Sequence, residues 1–255
     1  MSNKKKEINK SNFGFKKVTD SEKISMINEI FSDVANHYNL MNDIMSFGLH
    51  RLWKKKLCQM IPNLNSSIID VASGTGDIPL LLKKKAKKTG ANIKITACDP
   101  NSEMLEIFKA RAIDANFPAS FETKITSAEN LPFNNDSFDY YTIAFGIRNT
   151  TSIEESLKEA YRVLKPTGKF LCLEFAKITN EFLRTIYNNY ANIVIPNLGS
   201  CITGNRDAYQ YLVESIEVFP DQDQFKTMIE RVGFSNVSYH NLSFGTVAIH
   251  YGYKI

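Results

Sequence analysis

Two rhythms of apolar residues alternate along this chain. From Ser21 they recur at intervals of three and four, at Ile24, Ile27, Phe31 and Val34, and the spacing predicts a first helix over about 22–36. The next stretch, HYNLMNDIMSFGLHRLW at 37–53, mixes aromatic, amide and Met residues with Gly48. It reads as an irregular segment leading into a helix at about 50–60, which Pro62 and Asn63 end. Beyond it, short apolar runs of strand length alternate with helical spacing. Strands are expected at the run ending in Asp70, at IKITACD (93–99), at the two ends of 121–146 and at KFLCLEFA (169–176). Helices are expected over Ile78–Lys88, stopped by Gly90, over Ser102–Ala115, and over about 152–164, where KPTG (165–168) turns into the next strand. Four βα units in a row predict an α/β fold with a doubly wound, mainly parallel sheet and a ligand site at its C-terminal strand edge.

Residues 177–220 depart from that alternation. Helical stretches around VIPNLG (194–199) and over 204–219 make the segment long for a connection and predict a lid or substrate wall. A last helix at about 222–232, stopped by Gly233, and the strands NVSYHNL and TVAIHYGYK close the chain as a hairpin around Ser243–Gly245.

Composition narrows the picture. The 255 residues are 43% hydrophobic and 23% charged, ordinary for one large domain, expected over 21–255. The net charge of +4 is uneven: Lys4, Lys5, Lys6, Lys10, Lys16 and Lys17 crowd the start against Glu7, so 1–20 is expected to be a flexible basic tail. Such a tail is either simply solvated or drawn to an anionic surface. No apolar run reaches membrane-spanning length and the N-terminus lacks a secretory core, so a cytoplasmic protein is expected. Cys58, Cys98, Cys172 and Cys201 lack C-x-x-C spacing and read as reduced core residues. His37, His50, His240 and His250 form no cluster of metal-ligand spacing, so no metal is expected.

The candidate chemistry begins where the first sheet strand ends. In IIDVASGTGD (68–77), Asp70 closes the strand, Ala72, Ser73, Gly74 and Gly76 let the backbone turn sharply, and Asp77 is placed to cap a helix. That turn leaves N–H groups and a positive helix end facing a nucleotide-like ligand, or it is a glycine-rich turn of some other α/β protein. A dinucleotide fingerprint would need a third glycine where this chain has Pro79. Asp99, at the tip of the second strand, can accept both hydroxyls of an adenosine ribose; capping the helix after Pro100 is its compatible alternative role.

The order of strand, D-x-A-x-G-x-G loop, acid-tipped strand, SAENLPF loop, KPTG turn and terminal strand pair resembles class I S-adenosyl-L-methionine-dependent methyltransferases. Four segments resemble more narrowly the ubiquinone/menaquinone biosynthesis C-methyltransferases, the UbiE/MenG family: HYNLMNDIMSFGLHRLWK (37–54), DVASGTGD (70–77), AENLPFNNDSFDYYTIAFGIRN with RVLKPTGKF and LEF (128–175), and YLVESIEVFPDQ with VAIHYGYK (211–254). The resemblance implies a Rossmann-like, seven-stranded sheet with a C-terminal antiparallel hairpin, extra N-terminal helices and a helical insertion. It implies S-adenosyl-L-methionine as cofactor, held at Asp70, Gly74, Thr75, Gly76, Asp99, Ser127, Ala128 and Ala144. Ala144 stands where many members have serine, Asn39 where many have aspartate, and Pro79 and Phe244 are also atypical.

The implied acceptor is a polyprenyl benzoquinol or demethylmenaquinol methylated on a ring carbon, so transient contact with a membrane surface is expected; a homodimer is compatible with the reading. Arg148 and Asn149, in FGIRN, are the candidate catalytic pair. Arg148 would stabilise a phenolate and position a water that takes its proton, since arginine itself stays protonated; Asn149 would orient that water or a quinol oxygen. A surface ion pair is the plainer role for Arg148. Rival readings are a methyltransferase for another small molecule or RNA, a silent methyltransferase-like interaction subunit, and a nicotinamide oxidoreductase. No aromatic-interleaved basic patch lies outside the tail, so no nucleic-acid partner is expected.

Overall fold

A computed structural model of the chain describes residues 10–34, 42–43, 46–178 and 206–255. It opens with strands β1 (Lys10–Phe13) and β2 (Lys16–Thr19) and helices α1 (Asp20–Val34) and α2 (Leu49–Gln59). The alternating body follows: β3 (Ser67–Val71), α3 (Asp77–Thr89), β4 (Lys94–Asp99), α4 (Ser102–Asp114), β5 (Glu122–Ile125), β6 (Phe138–Ala144), α5 (Ile153–Val163) and β7 (Leu164–Phe175). Helices α6 (Arg206–Val218) and α7 (Gln222–Arg231) and strands β8 (Ser235–Leu242) and β9 (Val247–Tyr253) complete it. Seven strands form one sheet in the order β5-β4-β3-β6-β7-β9-β8. The first five in that order run parallel, and β9 is antiparallel to both β7 and β8. This is the doubly wound sheet with a C-terminal hairpin that the alternation and the resemblance implied.

The central strands are apolar on both faces because helices cover both. Ile69, Val71, Tyr141, Ile143, Phe170 and Cys172 share a core with Leu157 and Val163 of α5 and Phe225 and Ile229 of α7. Ile68, Leu171 and Leu173 point the other way, into a core with Trp53 and Leu57 of α2 and Ile78 and Leu82 of α3. Cys58, Cys98 and Cys172 are buried free thiols; Cys201 lies outside the described residues.

Two local expectations change. The basic stretch 1–20 is not a plain tail over its second half: Lys10–Phe13 and Lys16–Thr19 pair as a hairpin, with Gly14 in the left-handed conformation at its turn. Phe13 stacks on Tyr211 of α6 with ring centroids 4.3 Å apart, and the Phe15 N–H donates to Glu214 Oε2 at 3.1 Å, so tertiary contacts order a segment whose lysines suggested solvent. Thr19 and Glu22 then cap α1 reciprocally, Thr19 N–H to Glu22 Oε2 at 2.8 Å and Glu22 N–H to Thr19 Oγ1 at 3.3 Å. The KPTG turn is absorbed into a bulged start of β7: Phe138 faces Leu164, but Tyr140 already faces Lys169. Of the insertion at 177–220, residues 179–205 lie outside the described part, and α6 confirms the helix expected at 204–219.

Candidate functional site

The glycine loop leaves β3 and meets the tip of β4 at one edge of the sheet. Asp99 is buried there, and both its oxygens hold backbone: Oδ2 accepts from Gly74 N–H at 2.8 Å and Oδ1 from Asn101 N–H at 2.9 Å. Capping of α4 falls to the Asn101 side chain, which accepts from Met104 N–H at 3.1 Å, so Asp99 is left to tie the loop to the second strand. Burial pushes the Asp99 carboxyl up to about 6, against the pull of those two N–H groups. A Cβ placed on Gly74 would meet nothing, so this backbone faces open space where a ligand can approach.

Gly76 has a different task. Its φ is 82°, and a Cβ there would run into the Phe108 ring of α4, so this glycine permits close packing between the loop and a helix. Asp70 is also inward: its oxygens accept from Ser73 Oγ at 2.5 Å and Thr142 Oγ1 at 2.6 Å, bracing the turn from below. Burial raises its carboxyl to about 7. Thr75 is buried, and its hydroxyl accepts from Arg111 Nη1 at 2.8 Å.

Asp77 does not cap α3; Gly76 occupies the cap without a side-chain bond. Instead Asp77 accepts from Lys54 Nζ at 2.6 Å and Arg111 Nη2 at 2.8 Å, joining α2 to α4 across the start of α3. Despite burial, the two cations hold its carboxyl far below the usual range. Pro79 sits in the first turn of α3, where a missing N–H costs no helix bond.

A cleft opens above this corner. Gly74, Asp99, Ser127, Ala128, Ala144 and Asn149 line it, with Ile27, Phe31 and Met104 supplying apolar surface. Six of the predicted site residues thus come together. Asp70 and Thr75 line a smaller cavity that shares Gly74 and Ala144 with the cleft, and Gly76 packs the loop on α4. The N-terminal helices are expected to wall an apolar tunnel, but no residue of α1 stands out as a cleft contact, because its helical spacing marks Ile24, Ile27 and Phe31 equally well as ordinary core.

At the far side, β6 ends in a 3-10 turn, Ile147–Asn149. Arg148 is neither exposed nor unpaired. Its Nη1 donates to Glu174 Oε1 at 2.9 Å and Phe145 O at 2.8 Å, and Nε to Ser215 Oγ at 3.3 Å. The surface ion pair considered for it is therefore a buried one. Glu174 is 1% exposed; burial raises its carboxyl, and its Oε2 has no hydrogen-bond partner. Arg148 Nη2 and the Asn149 side-chain nitrogen make no hydrogen bond among the described residues, while Tyr211 donates its hydroxyl proton to Asn149 Oδ1 at 3.1 Å. Asn149 lines the cleft, while Arg148 lines an adjoining cavity with Tyr211 and Ser215. Asn39 lies outside the described residues.

The ubiE/COQ5 methyltransferase family model matches residues 16–254. The chain belongs to that family. A ubiquinone/menaquinone biosynthesis C-methyltransferase from Rickettsia felis is 57% identical over 248 residues, covering 97% of this chain and 100% of its own length. The corresponding protein of Rickettsia bellii is 56% identical over 248 residues with the same coverage. Among solved structures, a SAM-dependent methyltransferase from Thermotoga maritima, described as a possible histamine N-methyltransferase, aligns with TM-score 0.62 over 89% of this chain and 99% of its own, at 21% identity. That likeness carries the fold. This UbiE-family chain is thus an S-adenosyl-L-methionine-dependent methyltransferase, and the cleft fits the cofactor: an acid at the second strand tip, an open glycine backbone and an apolar wall for a base. Tyr211 and Glu174 both fall in family-like segments, YLVESIEVFPDQ and LEF, yet their partners at Asn149 and Arg148 are distant in sequence and only the fold reveals them.

Proposed function

We propose that this methyltransferase methylates a ring carbon of a reduced prenyl quinone, with Arg148 and Asn149 holding the ionised oxygen of the acceptor. The chain is a C-methyltransferase of ubiquinone/menaquinone biosynthesis, and the observation that carries the site assignment is the pair of donors unengaged among the described residues, Asn149 Nδ2 on a residue that lines the cleft and Arg148 Nη2 on the residue next to it. Asp99 would accept the cofactor's ribose hydroxyls, the Gly74 backbone would face its amino-acid end, and Ser127 and Ala128 would flank the adenine.

S-adenosyl-L-methionine supplies an electrophilic methyl group when bound. The chain's residues ionise and orient the acceptor and exclude water. Removing a phenolic proton, whose ordinary pKa is near 10, moves electron density onto the carbon ortho to the oxygen. The guanidinium stays charged and the amide donates, so both stabilise the oxyanion from fixed positions. A water held by Arg148 relays the phenolic proton to bulk solvent. The acceptor carbon gains the methyl and loses its own hydrogen as a proton, which restores the aromatic ring.

A prenylated acceptor resides in a bilayer, and exposed apolar side chains support contact with its surface. Leu52 of α2 is 61% exposed and Phe244 is 82% exposed, with Arg51, Lys55 and Lys56 on the same helix as Leu52. Trp53 donates to Ser243 Oγ at 2.9 Å, which brings the two segments together. Co-sedimentation with anionic vesicles should fall in Leu52→Ser/Phe244→Ser; unchanged sedimentation would remove this surface from the account.

The reaction is tested by offering purified protein, labelled methyl S-adenosyl-L-methionine, a demethyl-benzoquinol and a demethyl-naphthoquinol side by side. Label on a ring carbon by mass spectrometry is expected. Cofactor binding with neither quinol methylated would overturn the acceptor assignment.

A further inference from the structure

Helix α6 delivers two residues one turn apart, Tyr211 and Ser215, onto the adjacent pair Asn149 and Arg148. We propose that Tyr211 is a positioning residue that fixes the orientation of the Asn149 amide and thereby aims its NH2 group at the acceptor oxygen. The proposal rests on the acceptor-side role assigned above to Asn149. A primary amide has one acceptor end and one donor end, and a half turn about its last bond exchanges them. Only the donor end can stabilise an oxyanion.

In the structure the hydroxyl of Tyr211 engages the acceptor end. It is buried and donates to Asn149 Oδ1 at 3.1 Å, and burial, which pushes its ionisation up to about 12, keeps that proton in place. With the oxygen engaged, Nδ2 is the end left open at the cleft, which Asn149 lines and Tyr211 does not. The ring cannot easily swing away, because Phe13 of the N-terminal hairpin stacks on it at 4.3 Å. A chain of contacts therefore runs from the hairpin through Tyr211 to the donor beside the cofactor.

The test is a double-mutant cycle in the full-length protein with Tyr211→Phe, Asn149→Ala and the combination. Tyr211→Phe removes one oxygen and keeps the stacked ring. Turnover of a demethyl-naphthoquinol should fall roughly tenfold, the upper end of the range for a neutral hydrogen bond, while cofactor affinity and melting temperature stay near those of the unaltered enzyme. In the Asn149→Ala background, Tyr211→Phe should change turnover less than roughly twofold, since its target is gone. A loss that persists undiminished there, or no loss in the single variant, overturns the proposal. The side-chain amide NMR signals of Asn149, assigned by their absence in Asn149→Ala, give a readout independent of the acceptor. They should shift and broaden in Tyr211→Phe. Unchanged signals would overturn the positioning role even if neither quinol proved to be a substrate.

Discussion

The cofactor side and the acceptor side of the site are built by opposite means. At the cofactor end, Asp99, Asp70 and Asp77 all have their carboxylates engaged, by loop N–H groups, by Ser73 and Thr142, and by Lys54 and Arg111. On the acceptor side, among the described residues, Glu174 Oε2 lacks a partner and Arg148 and Asn149 keep donors open. A cofactor that is always the same can be met by a finished surface. An oxygen that becomes charged only during reaction is better met by groups held in place but not yet satisfied.

The comparison breaks most severely at Glu174. Glu174→Gln leaves Arg148 buried without its counter-charge, and arginine cannot shed its proton, so denaturant unfolding should show a loss of roughly 3–5 kcal/mol. Cofactor affinity of the folded fraction, measured by calorimetry, should stay near normal; a parallel collapse would mean the two ends are one unit. Gly76→Ala probes the other end. It forces a Cβ toward Phe108 at positive φ and should cost roughly 1–3 kcal/mol with weakened cofactor binding.

A pH titration of cofactor affinity sharpens the comparison further. The ribose hydroxyls favour ionised Asp99, whose carboxyl lies near 6 when the cleft is empty, so binding must drive off a proton below that pH. Affinity at pH 5 should be roughly tenfold weaker than at pH 7, and Asp99→Asn should bind weakly with that slope removed. A flat profile in the unaltered protein would contradict the contact. The smallest effect is expected for Phe13→Ala, which loses the ring stack on Tyr211 and should lower unfolding free energy by roughly 0.5–1.5 kcal/mol.

What was legible in the sequence tracks how local each feature is. The loop at 70–77 and the acid at 99 announce themselves because strand end, small residues and acid are read within short windows, and the alternation of runs predicts the parallel sheet. Asp77 was misread as a cap because Lys54 and Arg111 reach it only in the folded chain. The hairpin at 10–19 was hidden by lysines, although Phe13-Gly14-Phe15 carries a turn signal. Glu174 and Tyr211 stood in family-like segments, yet nothing in their own neighbourhoods names Arg148 or Asn149 as partner.

The division of labour is tested most directly by Arg148→Ala, with cofactor affinity and quinol turnover measured on the same preparation. Glu174, already pushed toward its neutral form, can take up a proton when its partner is removed, so this variant should fold better than Glu174→Gln. The account predicts unchanged cofactor affinity with turnover down by roughly a hundredfold or more. Normal turnover with intact cofactor binding would contradict it.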